Sequence, residues 1–297
     1  MKFDTKKKVI LGVTIALTLV VMIMIGTILA SVFHKEEEPE PEVQIAEVVE
    51  EEPREEEPEE EAEEEPEEEP LTNDLDFSAL RSAVTEDATS WLYVPGTVVN
   101  YPVLRAGSGK DTDYYLRKDY KGNYFTGGCV YMQQRNRADY GSKDTVIYGH
   151  NMNNGTMFHS LHNYEDGSFF KSHPYIIVFT PEKTLIYQVF CAYRDDDKLI
   201  LAYYNDFADN STFMKYIDGV RNSTNGKAYQ TNKDVKVEAS DRIISLSTCI
   251  RYDEVGRFLL LGKLLSSEEA AKVDKSLIEE AYNASAEALN KLVKQYQ

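Results

Sequence analysis

The amino-acid sequence predicts a mainly β protein, a closed or nearly closed barrel set behind a long acidic segment. Three observations carry that expectation. Short apolar runs rich in β-branched and aromatic residues recur from about residue 90 onward, separated by Gly, Asn and Asp turn residues. Helical spacing is confined to a few segments, whereas an α/β sheet would alternate helices and strands regularly. Bulk for a β-rich core is ample, since the chain holds 20 Tyr and 12 Phe, nearly all beyond residue 70.

In chain order, residues 1–8 form a basic terminus with Lys2, Lys6, Lys7 and Lys8. Val9 to Phe33 is a run of 25 residues without a charge. As a helix it would measure roughly 37 Å, against about 30 Å for a hydrocarbon core. A cleaved leader would have a shorter apolar stretch and a small-x-small end, but Ile28 stands two residues before Ala30. The expectation is a retained transmembrane signal anchor over 9–33. The preceding lysines put the amino end in the cytoplasm and the rest of the chain outside, making a single-pass cell-membrane protein.

Residues 34–70 read as a disordered Glu/Pro stalk. Its 36–70 stretch carries 21 Glu and one Arg, a net of −20 within the chain's −19, which leaves the remainder at +1. Like charges repel, Pro interrupts helix and little is apolar enough to bury, so an extended spacer of up to roughly 110 Å is expected. No loop geometry there orders carboxylates around calcium. Because the folded part is nearly neutral, no nucleic-acid partner is expected.

From Leu71 to Leu265 the composition is globular. DFSALRSAV has helical spacing, with Phe77, Leu80 and Val84 on one face. TSWLYVPGTVVNYPVL reads as strand, Pro-Gly turn and strand. Further strand-like runs are GGCVYM, DTVIYGH, YIIVFT, LIYQVFCAY, VKVEAS, RIISLSTC and RFLLLGKLL. In the insertion between Cys191 and Arg242, FADNSTFMKYIDGV places Phe213, Ile217 and Val220 at helical spacing. Residues 266–297 predict one C-terminal helix, opened by a capping box of Ser266 and Glu269. Its apolar stripe comprises Val273, Leu277, Ala281, Ala284, Ala288 and Leu292, to be packed on the barrel.

Three cysteines, Cys129, Cys191 and Cys249, are widely spaced and make no CxxC pair. Their number is compatible with one disulfide and a free thiol, or with three free thiols. Cys249 ends RIISLSTC, a run that delivers a residue to the mouth of a sheet behind small polar Ser247 and Thr248. Arg257 opens the next strand-like run, so a short connection would bring guanidinium and thiol to one end of the barrel. A fixed cation favours thiolate, and Arg can donate to a developing oxyanion. A buried cysteine packing as a small hydrophobe is the plainer alternative, and the polar STC ending weighs against it. His150 likewise ends DTVIYGH, and Cys with His at strand ends is the arrangement for thiol acylation. His150, His159 and His162 have poor spacing for a metal and no obvious acidic co-ligand, so no metal and no cofactor are expected.

From Asp76 to Leu265 these fragments, in order, resemble the class B sortases. The resemblance is carried by WLYVPGTVVNYPVL, DTDYYLRKDYKGNYFTGGCVYMQQRNRAD, DTVIYGHNMNNGTMFHSLHNY and SLSTCIRYDEVGRFLLLGKL. Leu246, Ser247, Thr248 and Cys249 match the family's Leu-x-Thr-Cys ending, with the downstream Arg at 257. The resemblance implies a closed eight-stranded sortase-type barrel with amino-terminal helices and a helix in the connection before the nucleophile strand. By position it implies Cys249 as nucleophile, His150 as acid/base and Arg257 as oxyanion and substrate clamp. Ser247 and Thr248 would line the substrate groove and Asn151 would border it.

The implied reaction is cleavage of a C-terminal sorting motif of secreted proteins through a Cys thioester, with transfer to a peptidoglycan amine. Pilin polymerisation and simple release to water use the same residues. A non-catalytic wall-binding module is the alternative of a different kind, and it gains nothing from Cys, His and Arg at three strand ends. Arg251 departs from the pattern, as some relatives carry acid there, and the stalk and C-terminal helix lie outside it.

Overall fold

The structure, a computed structural model, describes residues 71–222 and 227–297. All of them fall within the second of the chain's two units, Glu64–Gln297. Helix α1 (Phe77–Ala83) starts where the Asp76 carboxylate accepts from the Ala79 N–H at 2.7 Å, and it buries Phe77 and Leu80. β1 (Ala88–Tyr93) and β2 (Asn100–Arg105) form an antiparallel hairpin. A short β3 (Tyr131–Met132) runs parallel to β2 and antiparallel to β4 (Asp144–Tyr148). After a 3-10 segment over His159–Glu165 come α2 (Gly167–Ser172), β5 (Tyr175–Phe179) and the long β6 (Thr184–Asp196). Then follow α3 (Ile200–Tyr203), α4 (Asn210–Arg221), β7 (Lys227–Thr231), β8 (Ile243–Ile250) and β9 (Asp253–Leu264). The chain closes with α5 (Ser267–Ala270) and α6 (Lys275–Tyr296).

The strand order is β5-β1-β2-β3-β4-β8-β9-β6-β7, and a further β5–β6 pairing closes it. Eight strands thus make the expected closed barrel, with β7 added outside β6. Inward residues such as Leu92, Val103, Ile147, Ile176, Tyr187, Leu246 and Leu260 fill the interior. Their period of two sends the alternate positions outward, where helices cover them. α4 lays Phe213, Tyr216, Ile217 and Val220 on Val146, Phe190, Tyr193 and Leu259, while α1 and α6 cover Trp91, Leu104 and Phe179.

Several local expectations need correction. VKVEAS is not a strand: Val235 and Val237 alternate inward, but they insert as an extended loop into the cluster beneath α4. The strand beside β6 is KAYQT, which has no strong apolar signature. In GGCVYM only Tyr131 and Met132 join the ladder, so Cys129 precedes the strand. The Ser266–Glu269 capping box is present, yet the helix it opens ends at Ala270, and Asp274 caps a separate α6. The buried line of α6 is Ala281, Ser285, Leu289 and Val293. A hydrophobic stripe misses Ser285 because its hydroxyl is needed, donating to Asn100 Oδ1 at 3.3 Å.

Asp144 is fully buried where β4 begins. Ser245 Oγ donates to its Oδ2 at 2.9 Å, and its Oδ1 has no partner among the described residues. Burial pushes this carboxyl up to about 8, with the Ser245 hydrogen bond pulling the other way.

Among the described residues no helix is long and apolar enough to cross a membrane. The expectation of a single-pass cell-membrane protein with an external domain, tied to a membrane by its N-terminal helix, is corrected accordingly. Val9–Phe33 and the 34–70 stretch, on which that expectation rested, lie outside the described residues.

Candidate active site

The site forms where β4 and β8 end and β9 begins. Cys249 lies directly opposite Arg257 in the antiparallel β8–β9 register, so the two side chains share one face. Beyond them the register shifts, Ile250 facing Asp253, and the strands part. On the other side β8 pairs in parallel with β4 up to Tyr148 opposite Ser247, with one more rung from the Gly149 N–H to the Ser247 carbonyl at 3.1 Å. His150 follows at once. A Cβ at Gly149 would meet the Phe158 ring at 2.7 Å, so only glycine lets the strand end this close to the barrel.

A cleft of about 310 Å³ is lined by Cys249, His150 and Arg257, together with Ser247 and Thr248. All three residues expected to do chemistry therefore open into one cavity. Its walls come from Asp113, Leu116 and Cys129 on the β2–β3 connection, Tyr131 of β3, Tyr148 and Gly149 at the end of β4, and Asp197 and Leu199 after β6.

His150 Nε2 lies 2.7 Å from the Leu116 carbonyl, which can only accept, so this nitrogen carries a proton and Nδ1 is the one that titrates. Burial holds the His150 pKa below its ordinary value. The Leu116 contact opposes that shift, and the Arg117 and Arg257 charges add to it. Arg257 is fixed by two contacts: Nη2 pairs with Asp197 Oδ2 at 2.6 Å, and Nη1 donates to the Gly256 carbonyl at 3.1 Å. The rest of its donor fork remains for a ligand.

All three cysteines are free, which decides between the two alternatives left by their number. Cys129 and Cys191 are buried, and burial pushes both thiols up to about 12, whereas Cys249 is half-buried. Cys191 sits in β6, and the Cys129 thiol donates to the Lys118 carbonyl at 3.3 Å.

Asn151 is placed differently from the expectation. Its side chain turns behind β8, donating to the Cys249 carbonyl at 3.0 Å, and it does not line the cleft. Arg251 is also outside the cleft, exposed and donating to Asn153 Oδ1 at 3.0 Å. Two contributors were not anticipated. Asp197 is the last acid of the run RDDDK, which reads as a solvated charged turn until the fold brings it to Arg257. Tyr148 is one of many strand tyrosines, yet it stacks on Tyr131 with ring centroids 5.5 Å apart. Its hydroxyl and Thr248 Oγ1 are buried without a hydrogen-bond partner among the described residues, and both residues face the cleft.

A profile described as the sortase domain matches residues 92–264. Sortase B of Listeria monocytogenes is 34% identical over 190 residues, covering 62% of this chain and 72% of that protein. Sortase B of Staphylococcus aureus is 30% identical over 186 residues, covering 61% and 72% respectively. Among solved structures, the Staphylococcus aureus sortase B–substrate complex matches with a TM-score of 0.55 at 30% identity, over 64% of this chain and 85% of that one. The Listeria monocytogenes sortase B structure matches with a TM-score of 0.52 at 32% identity, over 63% and 99%.

Proposed function

The chain belongs to the sortase family, the cysteine transpeptidases, and we propose that within it Cys249 is the nucleophile, His150 the general acid and base, and Arg257 the oxyanion clamp. The observation that carries this reading is the register of Cys249 against Arg257 at the lip of the cleft that His150 also lines. The proposed substrates are secreted proteins bearing a C-terminal sorting motif, and the proposed acceptor is an amine of peptidoglycan or its precursor.

In the proposed first step the Cys249 thiolate adds to the threonyl carbonyl of the motif, and the negative charge moves to oxygen beside Arg257. Collapse breaks the C–N bond while the His150 imidazolium gives its proton to the departing amine, leaving a thioester and a neutral imidazole. An acceptor amine then adds to the thioester and loses its proton to His150 as the Cys249 thiolate leaves. Atoms and charges balance, and the enzyme returns to its starting form. Ser247 and Thr248, which line the same cleft, would border the bound peptide.

This cycle needs thiolate and imidazolium together. An imidazole at its ordinary value of about 6.5 is only about one quarter protonated at pH 7. Burial of His150 trims the imidazolium share further. Slow turnover is therefore expected.

The test is to incubate the full chain with a panel of fluorophore–quencher sorting peptides, with and without added amines. Amine-dependent transfer products, absent in Cys249→Ala, are expected. Cleavage to the free acid alone, unaffected by amines, would make the protein an endopeptidase. Preference for a lysine side chain over a wall-type amine would point to pilin polymerisation. No cleavage of any peptide, together with an unreactive Cys249, would leave a non-catalytic module.

A further inference from the structure

The carbonyl of Cys249 is held from behind by side chains. In a parallel ladder the rung after Gly149 N–H to Ser247 O would run from the Asn151 N–H to the Cys249 carbonyl. The chain instead turns into a tight loop, Asn151 bridging to Met157, and the Asn151 side-chain amide takes over that rung at 3.0 Å. His162 Nε2 converges on the same carbonyl at 3.1 Å and on Asn151 Nδ2 at 3.1 Å. Its other nitrogen meets Glu165 Oε1 at 2.6 Å. Asn151 Oδ1 is engaged by His159 Nδ1 at 2.7 Å. On its far side the His162 ring packs on Phe258, with centroids 4.8 Å apart, next to Arg257.

Donor and acceptor chemistry orders these contacts. A carboxylate only accepts, so His162 Nδ1 carries a proton toward Glu165. Toward the Cys249 carbonyl, which also only accepts, the Asn151 amide is a donor, and His162 Nε2 closes the triangle at 3.1 Å from both. His159 donates to Asn151 Oδ1, which fixes the amide's orientation. Every polar atom of the Asn151 side chain is thereby used.

We propose that Asn151, oriented by His159 and by the His162–Glu165 pair, is a positioning residue that sets the aim of the Cys249 side chain by fixing its carbonyl where β8 leaves the ladder. This rests on the reading of Cys249 as nucleophile. Fixing that carbonyl restricts the backbone rotation that decides where the thiol points. A shift of about 1 Å at a reacting atom can cost about a hundredfold in rate. Neither Asn151 nor His162 lines the cleft, so their effect should fall on kcat and leave substrate binding untouched.

The test compares Asn151→Asp, His162→Ala and His162→Gln with the wild-type full chain, using the panel peptide that the wild type turns over fastest. Thermal melting confirms that each is folded. Iodoacetamide alkylation of Cys249 gives a second readout that needs no peptide. Asn151→Asp keeps the shape but replaces the donor with an oxygen facing the Cys249 carbonyl. It should lower kcat at least tenfold, with KM within twofold and an altered alkylation rate. His162→Ala should lower kcat severalfold. His162→Gln, whose amide can accept from Asn151 and also donate to Cys249 O, should restore most of it. A rise in KM with kcat intact in Asn151→Asp would overturn the proposal in favour of a substrate contact. Wild-type kcat in Asn151→Asp, or a His162→Gln no better than His162→Ala, would also overturn it. Retained activity in Cys249→Ala would instead overturn the nucleophile assignment, so the two failures are distinguishable.

Discussion

Replacing Asp144 by asparagine should remove one large pH-dependent contribution to the stability of the barrel. The Asp144 carboxyl is raised to about 8 in the fold, against about 3.9 in an unfolded chain. Between those values the unfolded chain has released a proton that the folded chain still holds. Each pH unit in that window therefore removes about 1.4 kcal/mol of stability. The contribution is present in full below about pH 4 and is lost as pH rises toward the folded value. From pH 5 to pH 7.5 the loss is about 3 kcal/mol, a large share of the ~5–15 kcal/mol typical of a domain. His150 has the opposite sign, because a depressed histidine stabilises the fold above its unfolded value and loses that contribution as pH falls. Both proteins contain it, so it cancels in the comparison. Urea unfolding at the two pH values, followed by the fluorescence of the single, buried Trp91, measures the difference. Asp144→Asn should gain about 3 kcal/mol on the wild type between pH 5 and pH 7.5. An offset equal at both pH values would show that the Asp144 carboxylate is already ionised in the fold and would refute the reasoning.

Iodoacetamide should label Cys249 first; Cys249→Ala should abolish turnover, while Cys129→Ala and Cys191→Ala, whose thiols are buried and raised to about 12, should keep near-normal activity per folded molecule in the peptide assay. Arg257→Lys keeps the charge but loses the planar fork, and it should lower kcat about 10²–10³-fold with little change in melting temperature. Arg251→Ala, whose side chain lies outside the cleft, is its control and should stay near wild type. In α6, Leu289→Ala should cost about 2–5 kcal/mol in urea unfolding while sparing turnover of the folded fraction, since Leu289 is 1% exposed in the cluster under that helix.

The meeting of Cys249, His150 and Arg257 at one cleft was legible because their positions are one-dimensional facts: each ends or begins a strand-like run, and strand ends gather at barrel mouths. Cys249 and Arg257 needed only a short connection to meet, and it exists. Asn151 was not legible in this way. It neighbours His150 in sequence, but the loop from Asn151 to Met157 turns its amide behind β8. Asp197 was hidden for a related reason, because a charge in a polar run acquires a partner only through pairing at a distance. VKVEAS shows the limit of periodicity itself. Alternation records which residues point inward, and burial under a helix satisfies it as well as a ladder does. The break after Ala270 escaped because residues 271–274 contain neither Pro nor Gly, and Asp274 marks a new start only once the capping geometry is known.

The parallel pairing of β4 with β8 also governs when the site comes into existence. Asn151 and Cys249 are 98 positions apart, and α3, α4 and β7 all fold in the interval. Closing so long a loop is entropically costly and kinetically late, while hairpins such as β1–β2 and β5–β6 form locally. A chain that has made only those hairpins displays a thiol with neither its imidazole nor the amide behind it. On the proposed assignment, such a chain lacks the paired groups that acyl transfer needs until β4 and β8 meet.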